Sequence, residues 1–202
     1  VVAPCGIGAD NFWEGLHVAP PQGDERHIEG WDPAPLFANP KEARRADRFA
    51  QFALGAAAEA LEQSGDLGLD PQRIGVWVGT GIGGMETNEK EIVTQHVKGS
   101  RRVSPFLVPM MMPNAAAASV SMRYGFQGPC ENTVTACAAG THSLGRAADL
   151  ISHGRVDAMV AGGAEAPMTP TALAGFRNMT AMSNAGISMP FDERRDGFVI
   201  AE

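Results

Sequence analysis

"ENTVTACAAGTHSLGRAADL", residues 131–150, sets the β-branched run Thr133, Val134 and Thr135 ahead of a cluster of small residues and then a helical pattern. The order reads as strand, tight turn and helix, with Cys137 at the junction. A sulfur in that place lies near unpaired N–H groups and the positive end of a helix dipole, which stabilise thiolate over thiol. The Ala138, Ala139 and Gly140 that follow have no bulk to block a substrate, and their backbone N–H groups are ready to receive an oxyanion. Cys137 is therefore the candidate nucleophile. His142, five residues on, points about 140° away from the cysteine on a regular helix and reads as structural.

Working outward, small apolar residues recur at helical spacing from Ala43 through Ala46, Phe49, Ala50, Ala53 and Ala57 to Leu61, which predicts one helix ending at Gly65. "RIGVWVG" predicts a buried strand over Ile74–Val78, running into the glycine-rich turn "GTGIGGM". An exposed helix is expected over 86–97. The stretch "SPFLVPMMMPN" carries Pro105, Pro109 and Pro113 and is expected to be an apolar loop that lines something. A second Ala-rich helix over 114–124 closes at Gly125. The helix after Cys137 is expected to carry Leu144, Ala148 and Ile151 on one face and to stop at Gly154. "DAMVAGG" is a further strand, and a last helix spans 171–182. Helices alternating with continuously apolar strands indicate an α/β protein whose sheet is covered on both faces.

Composition narrows the function classes. The 202 residues, 44% hydrophobic and 19% charged, suit a folded domain or part of one. A first residue Val1 and a last segment "DGFVIAE" inside an apolar run suggest a fragment. Cys5, Cys130 and Cys137 form no CxxC pair and no disulfide framework, which predicts a reducing compartment, with cytoplasmic as the default; Cys5 and Cys130 read as buried, inert side chains. No run of about 20 apolar residues predicts a membrane span. A net charge of −7 argues against nucleic acid as a partner. Two basic islands interrupt the acidic chain: Lys41, Arg44, Arg45 and Arg48, and Lys98, Arg101 and Arg102. They are either solvated faces or a docking patch for an acidic partner.

Other motifs lose on context. Gly79, Gly81 and Gly84 satisfy G-x-G-x-x-G after a strand, but Glu86, Glu89 and Glu91 follow where a pyrophosphate would sit, and no acidic ribose ligand lies about 20 residues on. Close backbone packing explains these glycines better. His142 and His153 lie roughly 16 Å apart along a helix, too far to share a metal, and no zinc pattern or G-x-S-x-G elbow is present.

"NTVTACAAGTHSLGRAADLI", "GRVDAMVAGGAEAPMTPTALAGF" and "PFDERRDGFVIAE", preceded in order by "VGTGIGGM", "VSPFLVPMMMPN" and "YGFQGP", resemble the β-ketoacyl-[acyl carrier protein] synthases, elongating type II enzymes most closely and polyketide ketosynthases next. The resemblance covers essentially the whole chain. It implies a thiolase-like fold, α/β with α-β-α-β-α layering, built of two similar halves, of which residues 1–202 form the N-terminal one. It implies that an acyl carrier protein delivers an acyl chain to Cys137, and that malonyl-carrier protein loses CO₂ and attacks the thioester. No metal or other cofactor is implied, since substrates ride on phosphopantetheine. Ile82, Leu107 and Phe176 correspond to positions around the acyl pocket, with Leu107 reaching across a homodimer formed through the strand around Glu131 to Thr135. Lys41, Arg44, Arg45, Arg101 and Arg102, with Arg177 nearby, match the family's carrier-docking surface.

The resemblance also places the two catalytic histidines, the buried lysine and the glycine-phenylalanine gate of the family beyond Glu202. The segment "SNAGISMPFD" is shorter than usual, and the chain reads "IAE" where glycine is usual. Rival readings are a polyketide ketosynthase or its non-catalytic partner subunit, which the retained Cys137 disfavours, an inactive carrier-binding or dimerising fragment, and thiolase-type chemistry with coenzyme A.

Overall fold

The run "IGVWVG" forms a strand in which all six residues are buried, as the centre of a sheet requires. The computed structural model describes residues 1–202. Its elements in chain order are β1 (Val2–Ala3), β2 (Gly6–Ile7), α1 (Ala9–Gly15), β3 (Glu25–Arg26), α2 (Pro40–Ala43), α3 (Arg48–Ser64), β4 (Ile74–Gly79), α4 (Met85–Lys98), α5 (Leu107–Met111), α6 (Ala115–Tyr124), β5 (Cys130–Glu131), α7 (Ala139–Ser152), β6 (Ala158–Gly163), α8 (Pro170–Asn178) and β7 (Ile200–Ala201), with short 3₁₀ turns between. They fall into two units, residues 32–165 and residues 1–31 with 166–202.

In the unit 32–165 the sheet has the order β5-β4-β6 and is parallel throughout. Ile74 to Gly79 pair in register with Ala158 to Gly163, and Val76 lies opposite Cys130. Alternation along β4 sends Trp77 and Gly79 towards α7, where the Arg146 guanidinium lies 5.6 Å from the Trp77 ring. Ile74, Val76 and Val78 then face the opposite side, against which α6 packs, with α3 on α6. Fully buried Phe49, Leu54, Val76 and Val120 make up much of this core, each contributing about 1.5–3 kcal/mol. Helices on both faces of a parallel sheet give the expected α/β class.

The approach of α7 to the sheet is close. A Cβ on Gly79 would lie 2.5 Å from the Ala139 carbonyl oxygen and 2.6 Å from Ser143 Oγ, and one on Gly163 would lie 2.9 Å from Gly140 Cα. Only small side chains fit such a contact, so α7 buries Ala139, Ser143 and Ala147. The face marked by Leu144, Ala148 and Ile151 is not the one that packs on the sheet: Leu144 and Ile151 are 56% and 43% exposed.

Other boundaries also move. The helix expected from Ala43 to Leu61 is two, because the buried Asp47 accepts from Phe49 N–H and starts α3 afresh. The proline-rich stretch is not all loop; Pro109 is the third residue of α5, where a helix makes no use of its N–H. The strand expected over Glu131–Thr135 is reduced to Cys130–Glu131 plus one bridge between Val134 and Thr80. Here Thr133 turns its Oγ1 to accept from Trp77 Nε1 at 2.7 Å.

In the other unit, β3 and β7 pair in parallel and β1 and β2 antiparallel. The Arg26 guanidinium ties its loops together by donating to the carbonyls of Gly23, Glu25 and Gly186 at 2.8, 2.8 and 3.2 Å. Thr169 caps α8 by accepting from Ala172 N–H. That helix ends at Asn178 rather than Met182 because residues 181–183 exchange backbone hydrogen bonds with Phe198 instead.

Candidate active site

The expected strand-turn-helix is present, with a 3₁₀ turn, Ala136–Ala138, feeding straight into α7. Ala136 adopts φ 51°, a left-handed conformation that costs an L-residue about 1–2 kcal/mol. Ala138 N–H donates to the Thr135 carbonyl at 3.2 Å and Ala139 N–H to that of Ala136, whereas the Cys137 N–H has no acceptor within the chain. Cys137 is exposed. An exposed thiol next to a left-handed residue, with its own N–H available, is a geometry open to a reacting carbonyl. His142 Nδ1 lies 2.8 Å from Thr135 Oγ1.

Cys130 and Cys5 are exposed residues rather than buried ones. The Cys130 sulfur is nevertheless sheltered, and burial pushes its thiol up, partly offset by the Ser121 hydroxyl. A thiol shifted that way is a poorer nucleophile at neutral pH.

The glycine-rich turn abuts the turn that carries Cys137. A Cβ on Gly81 would lie 3.5 Å from Ala136 Cα. The anion cradled by this turn is the chain's own: Glu165 Oε2 accepts from the N–H groups of Gly81 and Ile82, the latter at 3.2 Å, and from Thr80 Oγ1 at 3.2 Å. Thr80 Oγ1 in turn accepts from Gly83 N–H at 3.1 Å. This occupancy is the physical reason that the dinucleotide reading of the motif fails. Glu165 and Asp47 escaped the sequence reading; their signals are a carboxylate directly after the strand end "AGGA", and an Asp before the apolar run of α3.

Of the three pocket candidates, Ile82 sits in this turn, 42% exposed. Leu107 opens α5, whose last residue Met111 accepts from Gly84 N–H at 3.2 Å, so the structure brings these two segments together. Phe176 lies on α8 in the other unit, edge-on to Phe198 at 5.5 Å between ring centres.

Lys41, Arg44 and Arg45 around α2, and Arg101 and Arg102 on the 3₁₀ turn Ser100–Arg102, are exposed. The Arg45 guanidinium stacks 4.4 Å from the Phe106 ring, four residues beyond Arg102. A hollow of about 460 Å³ beside them is lined by Arg44, Asp47, Gln51, Glu86, Lys90 and Glu91, among others. Arg177 differs: it lies in the unit formed by residues 1–31 and 166–202, where it donates to Asp24 at 3.2 Å and to Glu25, so its charge is already paired.

This fold, with a cysteine at the head of α7, agrees with the sequence profile for "Beta-ketoacyl synthase, N-terminal domain", which matches residues 4–202; the chain belongs to that family. Among individual relatives it is 51% identical over 171 residues to "3-oxoacyl-[acyl-carrier-protein] synthase 2" of Staphylococcus aureus, covering 80% of the chain and 42% of the relative. The protein of the same name in Coxiella burnetii is 37% identical, covering 100% of the chain and 54% of the relative. A solved type II polyketide ketosynthase in complex with its acyl-carrier protein superposes with a TM-score of 0.79 at 25% identity, covering 89% of this chain and 52% of that one. The chain spans about half the length of the curated relatives it matches.

Proposed function

We propose that the chain is the nucleophile-bearing half of a 3-oxoacyl-[acyl-carrier-protein] synthase acting in fatty-acid synthesis. The observation that carries this reading is the exposed Cys137 on its left-handed turn, inside a β-ketoacyl synthase N-terminal domain. Cys137 thiolate attacks the thioester of an acyl chain held on the phosphopantetheine of acyl carrier protein, forming an acyl-cysteine and releasing the carrier thiol. Decarboxylation of malonyl-carrier protein then gives a carbanion that attacks the same carbonyl. The Cys137 N–H donates to the developing oxyanion, the cysteine thiolate leaves, and the product is a 3-oxoacyl-carrier protein two carbons longer. No metal or further cofactor takes part.

In this reading Ile82 and Leu107 in one unit and Phe176 in the other contact acyl groups, and the carrier docks on Lys41, Arg44, Arg45, Arg101 and Arg102, with Arg177 a further docking candidate. Two chains pair through the segment around Glu131 to Thr135, a reading supported by the place of β5 at an edge of the sheet. We assign the reaction to the cytoplasm, in keeping with three cysteines outside any disulfide. No helix is long and apolar enough to cross a membrane. A polyketide ketosynthase is the second reading, favoured by the likeness to the solved polyketide complex.

The decisive test uses the full-length protein with acyl-carrier substrate and mass-spectrometric mapping. Cys137→Ala and Cys137→Ser are expected to abolish acyl transfer, and Cys130→Ala to leave it. An acyl label on any cysteine other than Cys137 overturns the assignment. Parallel assays with coenzyme A thioesters separate this activity from thiolase chemistry, and carrier pull-down without turnover would identify a binding fragment.

A further inference from the structure

We infer that Glu165 is a positioning residue that sets the acyl-chain selectivity of this site. Its functional half rests on the condensation reading above. Glu165 stands two residues past the end of β6, and its carboxylate spans to a turn 84 residues earlier in the chain, where one oxygen collects Gly81 N–H, Ile82 N–H and Thr80 Oγ1. Charge-assisted hydrogen bonds from three donors to one oxygen fix the turn more firmly than neutral contacts would. The other oxygen, Oε1, is shielded from solvent.

The turn held in this way has a sterically forced layout. Gly81 is the residue beside the carboxylate, since a Cβ there would lie 2.7 Å from Oε2, and the same position faces Ala136 Cα on the nucleophile turn. Ile82 comes next, its N–H bound to Glu165 and its side chain projecting from the turn. The carboxylate therefore sets how far Ile82 stands from the residue preceding Cys137. Glu165 touches no reacting atom in this scheme. It acts by fixing the wall along which the acyl chain lies, and a shift of one methylene's width there changes which chain fits.

The test uses the full-length protein carrying Glu165→Gln, which keeps the side-chain length, and Glu165→Asp, which does not reach the turn. Hydrogen exchange at the Gly81 and Ile82 amides is expected to rise about tenfold in Glu165→Asp and less in Glu165→Gln, in line with local loosening. The ratio of kcat/KM for twelve-carbon over six-carbon acyl-carrier substrate is expected to shift about fivefold or more in Glu165→Asp and to be largely restored in Glu165→Gln. Alkylation of Cys137 by iodoacetamide is expected to stay within about twofold of the parent, since the nucleophile turn keeps its own hydrogen bonds. Faster exchange or a lower Tm with an unchanged ratio overturns the selecting role and leaves a structural one. Unchanged exchange in both variants overturns the inference altogether. Failure of the unsubstituted protein to transfer any acyl group sinks the condensation reading instead, whatever the exchange rates show.

Discussion

Arg73 and Asp157 illustrate what a single ion pair does here. Arg73 Nε and Nη2 donate to the two oxygens of Asp157 at 2.9 and 2.6 Å, and the guanidinium also donates to the carbonyls of Gly154 and Arg155. The residues just ahead of β4 and β6 are thereby stapled. The hydrogen bond from Arg73, reinforced by its charge, holds the Asp157 carboxyl below its ordinary value. A carboxylate depressed in the folded state adds stability above its unfolded pKa of about 4, and that contribution is lost as pH falls through the lower folded value. Asp157→Asn is thus expected to lower Tm modestly at pH 7, the gap closing below about pH 4; a gap that widens with acid would refute the pairing. At this scale Cys137 was legible because its signal is local, a change of periodicity within twenty residues. Glu165 was not, because its partners lie far away along the chain and only the parallel pairing of β4 with β6 brings them to one place.

The elements themselves were read with less trouble than their faces. Strand β4 and helices α4 and α6 fall within two residues of expectation, since each is marked by an uninterrupted pattern and a glycine stop. The inward face of α7 was hidden because hydrophobicity marks Leu144 and Ile151, whereas the separation available against Gly79 and Gly163 admits only Ala and Ser. Two glycines turn this into opposite predictions. Gly79→Ala forces a methyl group to within 2.5 Å of the Ala139 carbonyl and is expected to destabilise by about 1–3 kcal/mol. Gly145→Ala on α7 meets nothing within 4 Å and removes a flexible residue from a helix interior, for an expected gain of about 0.5–1 kcal/mol. Denaturant titration of the two variants checks both signs; equal effects would mean that α7 does not approach the sheet as described.

For the whole molecule, charge is uneven: net −7, yet with two basic islands, one of which stacks Arg45 on Phe106. Such a patch speeds encounter with an acidic partner more than it deepens affinity, and salt screens it. The double variant Arg44→Glu, Arg45→Glu is expected to weaken carrier binding roughly tenfold at low salt, with the difference shrinking towards ~1 M, where the Debye length is ~3 Å. A salt-independent loss, measured by titration calorimetry, would point to disrupted packing instead. Apolar surface is also conspicuous, with Phe191 entirely exposed at φ 66° and Leu144, Ile151 and Met122 outward-facing. This was invisible in the sequence, which marks residues as apolar without saying which side they take. One buried carboxylate carries a last implication. Asp47 accepts from Phe49 N–H through one oxygen and from Thr87 N–H, 40 residues away, through the other. Two helices thus share a single starting cap, so neither can be completed on its own, and the polypeptide between them must close into a loop before either is secure.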